Sequence, residues 1–311
     1  MLFKRPGSDR FPFMWLQRLR QILVDLVALA SAALRQPRET FQLIRTVPEM
    51  LAGSRLASNW SAQFTGEPSI ESPPGSPSHN GSNPMADYFE SHTEGRGIWK
   101  YSHYLDVYHR HFAKFIDQEV HVVEIGIFSG GSLDMWKQYF GPKARIYGVD
   151  IREECKVYAG DRVEVFVGDQ ADRAFWKRFK EKVPKVDILI DDGGHLPDQQ
   201  IATLEEMLPH LRPGGVFICE DTLSISARFP GYIHGLVRHL NAFAFRPSDL
   251  VVDASAFQSS IHSIHFYPYM TVIEKAPVSI EQFRLPMQGT IWEPIANAGA
   301  PEITITERPP V

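Results

Sequence analysis

The sequence predicts an α/β protein built on a doubly wound, mostly parallel sheet. Three observations predict it. From residue 120 onward, short apolar runs alternate with helical patterns. The runs are nearly continuous, as in strands covered on both faces, rather than alternating as in strands with one wet face. Acidic residues stand at the ends of these runs, the edge at which open α/β sheets hold their ligands.

The runs are "VHVVEIGIF" (120–128), "RIYGVDI" (145–151), "VEVFVG" (163–168), "VDILIDD" (186–192) and "GVFICED" (215–221), five strands in all. Between them "SLDMWKQYF", "DRAFWKRF" and "DQQIATLEEMLPHL" read as helices, with a weaker one after Ile151. Residues 259–275 offer two β-rich segments around Tyr267-Pro268, a closing antiparallel hairpin. Ahead of the first strand, "IWKYSHYLDVYHRHF" (98–112) reads either as a helix packing Tyr104, Tyr108, Phe112 and Phe115 or as a lid over a ligand. The segment 225–235, after the fifth strand, is a candidate for choosing a second ligand.

The N-terminal part differs in kind. Over 13–34, Trp15, Leu19, Ile22, Leu26, Leu29 and Ala33 share one helical sector, and Arg18, Gln21 and Asp25 another, which predicts an amphipathic helix. Its charges interrupt any run long enough to cross a bilayer. It could pack in a homo-oligomer or against the body, or rest as a peripheral anchor on a membrane surface, since basic residues flank it. Residues 66–84 are mostly Pro, Ser, Gly and Asn, with one isolated isoleucine, and no face there could be buried. The expected organisation is a helical arm (1–65), a disordered linker (66–84), a catalytic domain (85–276) and a Pro-containing tail (277–311).

Composition excludes some functions. A formal charge of -5 argues against a nucleic-acid partner held by bulk electrostatics, which needs a basic face to displace counterions; a local basic patch stays open, and no nucleic-acid partner is expected. Two cysteines, Cys155 and Cys219, imply no disulfide framework, in keeping with a reducing, cytoplasmic setting.

"EIGIFSGGS" (124–132) follows the first strand and opens a helix. Gly126 permits a sharp turn, and Gly130 with Gly131 would let a ligand approach the backbone. A dinucleotide fingerprint would carry a glycine two residues after the first, where Phe128 stands, so an NAD-dependent oxidoreductase is the weaker alternative. Glu124 in the strand end suits the positive amino group of S-adenosylmethionine better than a pyrophosphate. Asp150, about 20 residues beyond the glycine loop, is placed to accept the ribose hydroxyls. Asp169 and Gln170, after the third strand, could address the adenine edge. Taken singly, each of these aspartates could equally be a strand-end or cap residue.

Asp192 ends the fourth strand, and Glu220 with Asp221 end the fifth. Three adjacent carboxylates repel one another and raise one another's pKa values unless a cation joins them. Oxygen ligands with room for water and substrate suit Mg²⁺, with Mn²⁺ or Ca²⁺ as substitutes. His195, three residues past Asp192, carries an imidazole suited to take a hydroxyl proton. The competing reading of "DDGGH" is a turn whose aspartates cap the next helix.

Together "WKYSHYLDVYHRHF", "VVEIGIFSGGSLDMWKQYF", "IYGVDI", "GDQAD", "DDGGH" and "LRPGGVFICEDT" resemble class I S-adenosylmethionine-dependent methyltransferases of Rossmann-like fold. In particular they are similar to the metal-dependent sugar O-methyltransferases of the mycinamicin and macrocin type, to which cephalosporin-hydroxylase-like proteins are related. The resemblance covers about residues 92–275. It implies a metal held by Asp192, Glu220 and Asp221, His195 as general base, and cofactor contacts from Glu124, Gly126, Ser129, Ser132, Asp150, Asp169 and Gln170; Gly130 and Asp191 are placed on the cofactor side with them. The implied activity moves the methyl of S-adenosylmethionine to a hydroxyl of a sugar or glycosylated natural product. The alternative of another class is a non-catalytic nucleoside-binding protein on the same fold.

Overall fold

The structure is a computed structural model that describes residues 51–61, 83–222, 228–242, 251–286 and 288. The chain divides into two units, 1–76 and 77–311. In the first, residues 51–61 form an exposed helix. The amphipathic stretch 13–34 and the segment 66–82 lie outside the described residues. No described helix is long and apolar enough to cross a membrane.

The second unit opens with α1 (Pro84–Ser91). Asn83 caps it by accepting from the Met85 and Ala86 amides, and its own amide donates to Leu105 O and Asp106 Oδ1 in α2 (Ser102–Phe112). Then β1 (His121–Ile125), α3 (Gly131–Phe140), β2 (Arg145–Asp150), β3 (Val163–Val167), α4 (Arg173–Lys182), β4 (Val186–Asp191), α5 (Pro197–Met207) and β5 (Leu211–Cys219) follow as alternating strand and helix. A 3₁₀ segment, Glu153–Tyr158, replaces the weak helix expected after Ile151. The helix expected to run to residue 211 stops at Met207, where Pro209, lacking an N–H, breaks the ladder, and β5 begins at Leu211. After α6 (Arg228–Leu240) come β6 (Val251–Asp253), α7 (Ala256–Ser260), β7 (Ile261–Tyr267), β8 (Met270–Lys275) and β9 (Gln282–Arg284).

Seven strands form one sheet in the order β3-β2-β1-β4-β5-β8-β7. The first five are parallel, and β8 and β7 add an antiparallel edge through the hairpin read from the sequence, with Tyr267 opposite Met270. β6 and β9 make a separate antiparallel pair. Every residue of β1 and β4 is buried, which is why their sequences read as mostly apolar runs, with His121, Glu124, Asp187 and Asp191 the buried exceptions. One face carries Tyr108, Phe112, Trp136 and Phe140 from α2 and α3; the other carries Trp176, Phe179, Met207 and Phe229 from α4, α5 and α6. The winding reverses between β1 and β4, so the crevice above those two strands is where a ligand belongs.

Candidate active site

A cavity of about 580 Å³ opens there, a size suited to one small molecule or cofactor. Its walls come from the carboxyl ends of β1, β2, β3, β4 and β5 and from residues 97–101 ahead of α2. The loop after β1 turns at Gly126, whose φ of 81° favours glycine, and a Cβ there would sit 2.0 Å from the Asp192 carbonyl oxygen. The β1 and β4 loops therefore touch backbone to backbone. Phe128, His195 and Asp221, all on the cavity wall, hold φ of 43°, 54° and 50° without being glycine. Left-handed backbone of this kind is costly and gathers where a site requires it.

At one end, Asp150 lines the cavity and accepts from the Phe128 amide at 3.2 Å and the Arg152 amide at 3.0 Å. Those bonds fix the carboxylate while its oxygens keep lone pairs for a diol. Asp169 is exposed on the same wall and accepts from the Ala171 amide at 2.8 Å. Ser129 and Ser132 also line it, and each is tied: Ser129 Oγ donates to Gly97 O at 2.8 Å and Ser132 Oγ to Glu124 Oε2 at 2.6 Å.

At the other end the three strand-end carboxylates meet. Asp192 Oδ2 lies 2.7 Å and both oxygens of Glu220 3.1 Å from Lys100 Nζ, and Glu124 Oε1 lies 3.3 Å from the same nitrogen. Sequence reasoning asked for a cation and missed that the chain carries one. The Lys100 side chain is only 3% exposed, and the ring of carboxylates led by Glu220 overcomes the cost of burial and holds its pKa well above the ordinary value. Burial pushes the Glu220 carboxyl up, Lys100 pulls it down, and the Asp192 charge adds to the rise. Tyr108 Oη also donates to Glu220, so both of its oxygens are engaged. Tyr104 Oη donates to Asp221 Oδ1 at 2.8 Å. Left over are Asp192 Oδ1 and Asp221 Oδ2, which lie 3.9 and 3.7 Å from His195 Nε2.

Three residues expected at the cofactor do not reach the cavity wall. Glu124 is wholly buried and is bound to Lys100 and Ser132; burial raises its pKa although Lys100 opposes the rise. Asp191 is buried beneath the loop, where it accepts from Gln170 Nε2 at 2.9 Å and the Gly193 amide at 3.3 Å, and burial pushes its pKa up to about 6. Gly130 caps α3 with φ 75°, and the group close to it is the Tyr158 ring rather than a ligand. Gln170 does line the cavity, but its amide is committed to Asp191, Thr203 and the Gly194 N–H. These groups hold the "DDGGH" loop in shape. Of the region 98–112, the helix packs as the aromatic pattern predicts, while Trp99, Lys100 and Tyr101 line the cavity. Residues 225–227 lie outside the described residues, and among 228–235 none lines the cavity; Phe229 and Ile233 are core.

This combination of sheet order, glycine turn and acidic strand ends defines a Rossmann-like methyltransferase fold, and residues 123–222 match the family model described as a methyltransferase domain. The similarity is more particular than the fold. The chain is 32% identical over 200 residues to the 8-demethyl-8-alpha-L-rhamnosyl tetracenomycin-C 2'-O-methyltransferase of Streptomyces olivaceus, covering 58% of this chain and 52% of that protein. It is 38% identical over 132 residues to the mycinamicin VI 2''-O-methyltransferase of Micromonospora griseorubida, 40% of this chain and 32% of the relative. Among solved structures, the MycE methyltransferase of the mycinamycin pathway, in complex with Mg and SAH, superposes with a TM-score of 0.50 at 26% identity, covering 62% of this chain and 53% of that one. The likeness to sugar O-methyltransferases read from the sequence therefore holds, and the chain spans about half or less of the length of these relatives.

Proposed function

We propose that the chain is an S-adenosylmethionine-dependent O-methyltransferase that acts on a hydroxyl of a sugar borne by a small molecule, with a divalent ion, Mg²⁺ first, as its metal. The reading is carried by the cavity's two unlike ends: a tethered diol acceptor, Asp150, and the group Asp192, His195 and Asp221, whose ligand atoms lie within 4.8 Å of one another. Mycinamycin-pathway MycE was solved with Mg and SAH, which supports both assignments.

The donor set fits the metal. Asp192 Oδ1 and Asp221 Oδ2 are hard oxygen donors that face the His195 imidazole at 3.9 and 3.7 Å. They would hold the ion, and Glu220 would join them only when Lys100 withdraws. When bound, the ion would stabilise negative charge developing on the acceptor oxygen. The remaining work falls to the chain. His195 Nε2 would take the proton of the acceptor hydroxyl, and that oxygen then forms its bond to the donor methyl as the carbon–sulfur bond breaks, leaving a neutral thioether. The proton stays on the imidazole until it passes to solvent. Asp150 would hold the ribose hydroxyls, Asp169 and the Gly126 turn would border the nucleoside, and the buried Lys100 would keep Asp192 and Glu220 charged and in place. Positioning of this kind supplies much of the acceleration in a direct transfer. Trp99, 90% exposed, and Tyr101 present aromatic faces at the cavity on which a sugar ring could lie.

The test is incubation with S-adenosylmethionine and a panel of rhamnosylated and other glycosylated small molecules, with products read by mass spectrometry. Methylated glycoside formed with Mg²⁺ and abolished by EDTA supports the reading. His195→Ala should bind S-adenosylhomocysteine normally yet lose turnover; full activity in EDTA would remove the metal, and full activity in His195→Ala would remove the base.

A further inference from the structure

A second group of ligand-bearing side chains lies away from the cavity, under the antiparallel edge of the sheet. In β7, Ser263, His265 and Tyr267 recur at every second residue and so share one face, and the pairing of Ser263 with Glu274 in β8 brings that carboxylate to the same face. α2 lies over this side of the sheet, and its last turn supplies His111, which is 4% exposed. One ligand atom from each of His111, His265 and Glu274 lies within 4.8 Å of the others.

The spacing is informative. His111 Nδ1 stands 3.2 Å from Glu274 Oε1, and His265 Nε2 stands 3.5 Å from Glu274 Oε2. The first is at the long limit of a hydrogen bond and the second beyond it. Four ligands about 2.0–2.2 Å from a tetrahedral zinc ion are roughly 3.3–3.5 Å apart, so the same distances suit ligands that share an ion. A surrounding set of contacts is already in place. His111 Nε2 is 2.9 Å from Tyr267 Oη, which fixes the ring so that Nδ1 faces the carboxylate, while Ser263 Oγ, 2.9 Å from His265 Nε2 and 3.2 Å from Glu274 Oε2, bridges two of the ligand atoms and would have to turn aside for an ion. Lys114, half-exposed at 3.5 Å from Glu274 Oε1 and over the Phe115 ring, is the cation now beside the group, and its exposed side chain can swing away. His265 is 37% exposed at the edge strand, which leaves an entry path and a position for water.

We propose that His111, His265 and Glu274 form a second metal site, for a zinc-type divalent ion with water as the fourth ligand. Two nitrogens and one oxygen select such an ion over Mg²⁺, which prefers oxygen ligands. Its role is structural. The ion would staple the C-terminal turn of α2 to the β7–β8 hairpin, and α2 is the helix whose Tyr104 and Tyr108 hold Asp221 and Glu220.

The experiment titrates Co²⁺ into the metal-free full chain with excess Mg²⁺ present to fill the carboxylates of the cavity, and reads the visible absorption that tetrahedral Co²⁺ develops. One equivalent of intense absorption is expected, displaced by Zn²⁺, unchanged in His195→Ala, and lost in His265→Gln and in Glu274→Gln. Zn²⁺ should also raise the Tm of the wild type and of His195→Ala but not of the two site variants. Circular dichroism of the variants checks that loss of signal is not loss of fold; should His265→Gln unfold, Glu274→Gln decides. Absence of the absorption in the wild type, its loss in His195→Ala, or its persistence in the folded site variants would overturn the proposal.

Discussion

Replacing Lys100 with methionine keeps most of the length of the side chain and removes its charge. What remains is two wholly buried carboxylates, Glu124 and Glu220, and a third, Asp192, all of which had shared one ammonium at 2.7–3.3 Å. Removing one partner of a buried ion pair leaves an uncompensated charge and destabilises by about 3–5 kcal/mol. For a domain of this size each kcal/mol lowers Tm by roughly 2–4 °C, so a fall of about 6–20 °C is expected. Urea unfolding in EDTA at neutral pH measures the loss of free energy, and thermal unfolding the fall in Tm. Two controls identify the cause. Adding Glu220→Gln to Lys100→Met removes one of the stranded charges, and the pair should be less destabilised than the sum of the single changes by about 0.5–3 kcal/mol. Mg²⁺ should narrow the gap between Lys100→Met and wild type, because an ion can replace the lost ammonium. A Lys100→Met protein within about 1 kcal/mol of wild type in EDTA would refute the argument, since so small a change matches an ordinary surface substitution rather than a stranded buried charge.

Three further outcomes are expected. Gly126→Ala forces a Cβ against the Asp192 carbonyl at φ 81°, so it should cost about 1–3 kcal/mol in strain alone and weaken S-adenosylhomocysteine binding by displacing the β4 loop; unchanged Tm and affinity would contradict the close approach. Burial, helped by the Asp150 charge, pushes the Cys155 thiol up to about 11. Its thiolate therefore forms only at strongly alkaline pH, and at pH 8 native Cys155 should alkylate at least about 100-fold more slowly than a free cysteine of pKa about 8.5, catching up on unfolding. Asp150→Ala strips the acceptor from two backbone amides as well as from the ligand, so its loss of cofactor affinity should come with a Tm fall, whereas Asp169→Ala, exposed and bound only to its own turn, should lose affinity with little change in Tm.

The strands were legible because both faces of the sheet are covered: a buried parallel strand is written mostly in apolar residues, and the central stretches of β1, β2, β4 and β5 are. The meeting of Asp192, Glu220 and Asp221 was legible for a related reason, since residues at the same ends of neighbouring strands must converge. Direction was not. Glu124 and Asp191 stand near strand ends as Asp150 does, yet both side chains are buried, Glu124 on Lys100 and Ser132 and Asp191 on Gln170 and the Gly193 amide, and nothing local in the sequence marks that. Lys100 escaped because its two hydrogen-bonded carboxylates, Asp192 and Glu220, lie 92 and 120 residues away in sequence. A signal existed nonetheless: a lone lysine in an aromatic stretch, with three acids elsewhere lacking a cation. The His111, His265 and Glu274 group was illegible for want of register, because only the pairing of Ser263 with Glu274 puts the two strand residues on one face beneath α2.

The central claim is that the crevice between β1 and β4 holds the nucleoside of a methyl donor, with Asp150 as its ribose acceptor. Titration calorimetry of S-adenosylhomocysteine into the full chain tests it most directly. Saturable one-to-one binding, preserved in EDTA and in His195→Ala and weakened more than about tenfold, a loss of over about 1.4 kcal/mol, in Asp150→Ala, is predicted. No saturable heat, or binding that Asp150→Ala leaves untouched, would contradict it.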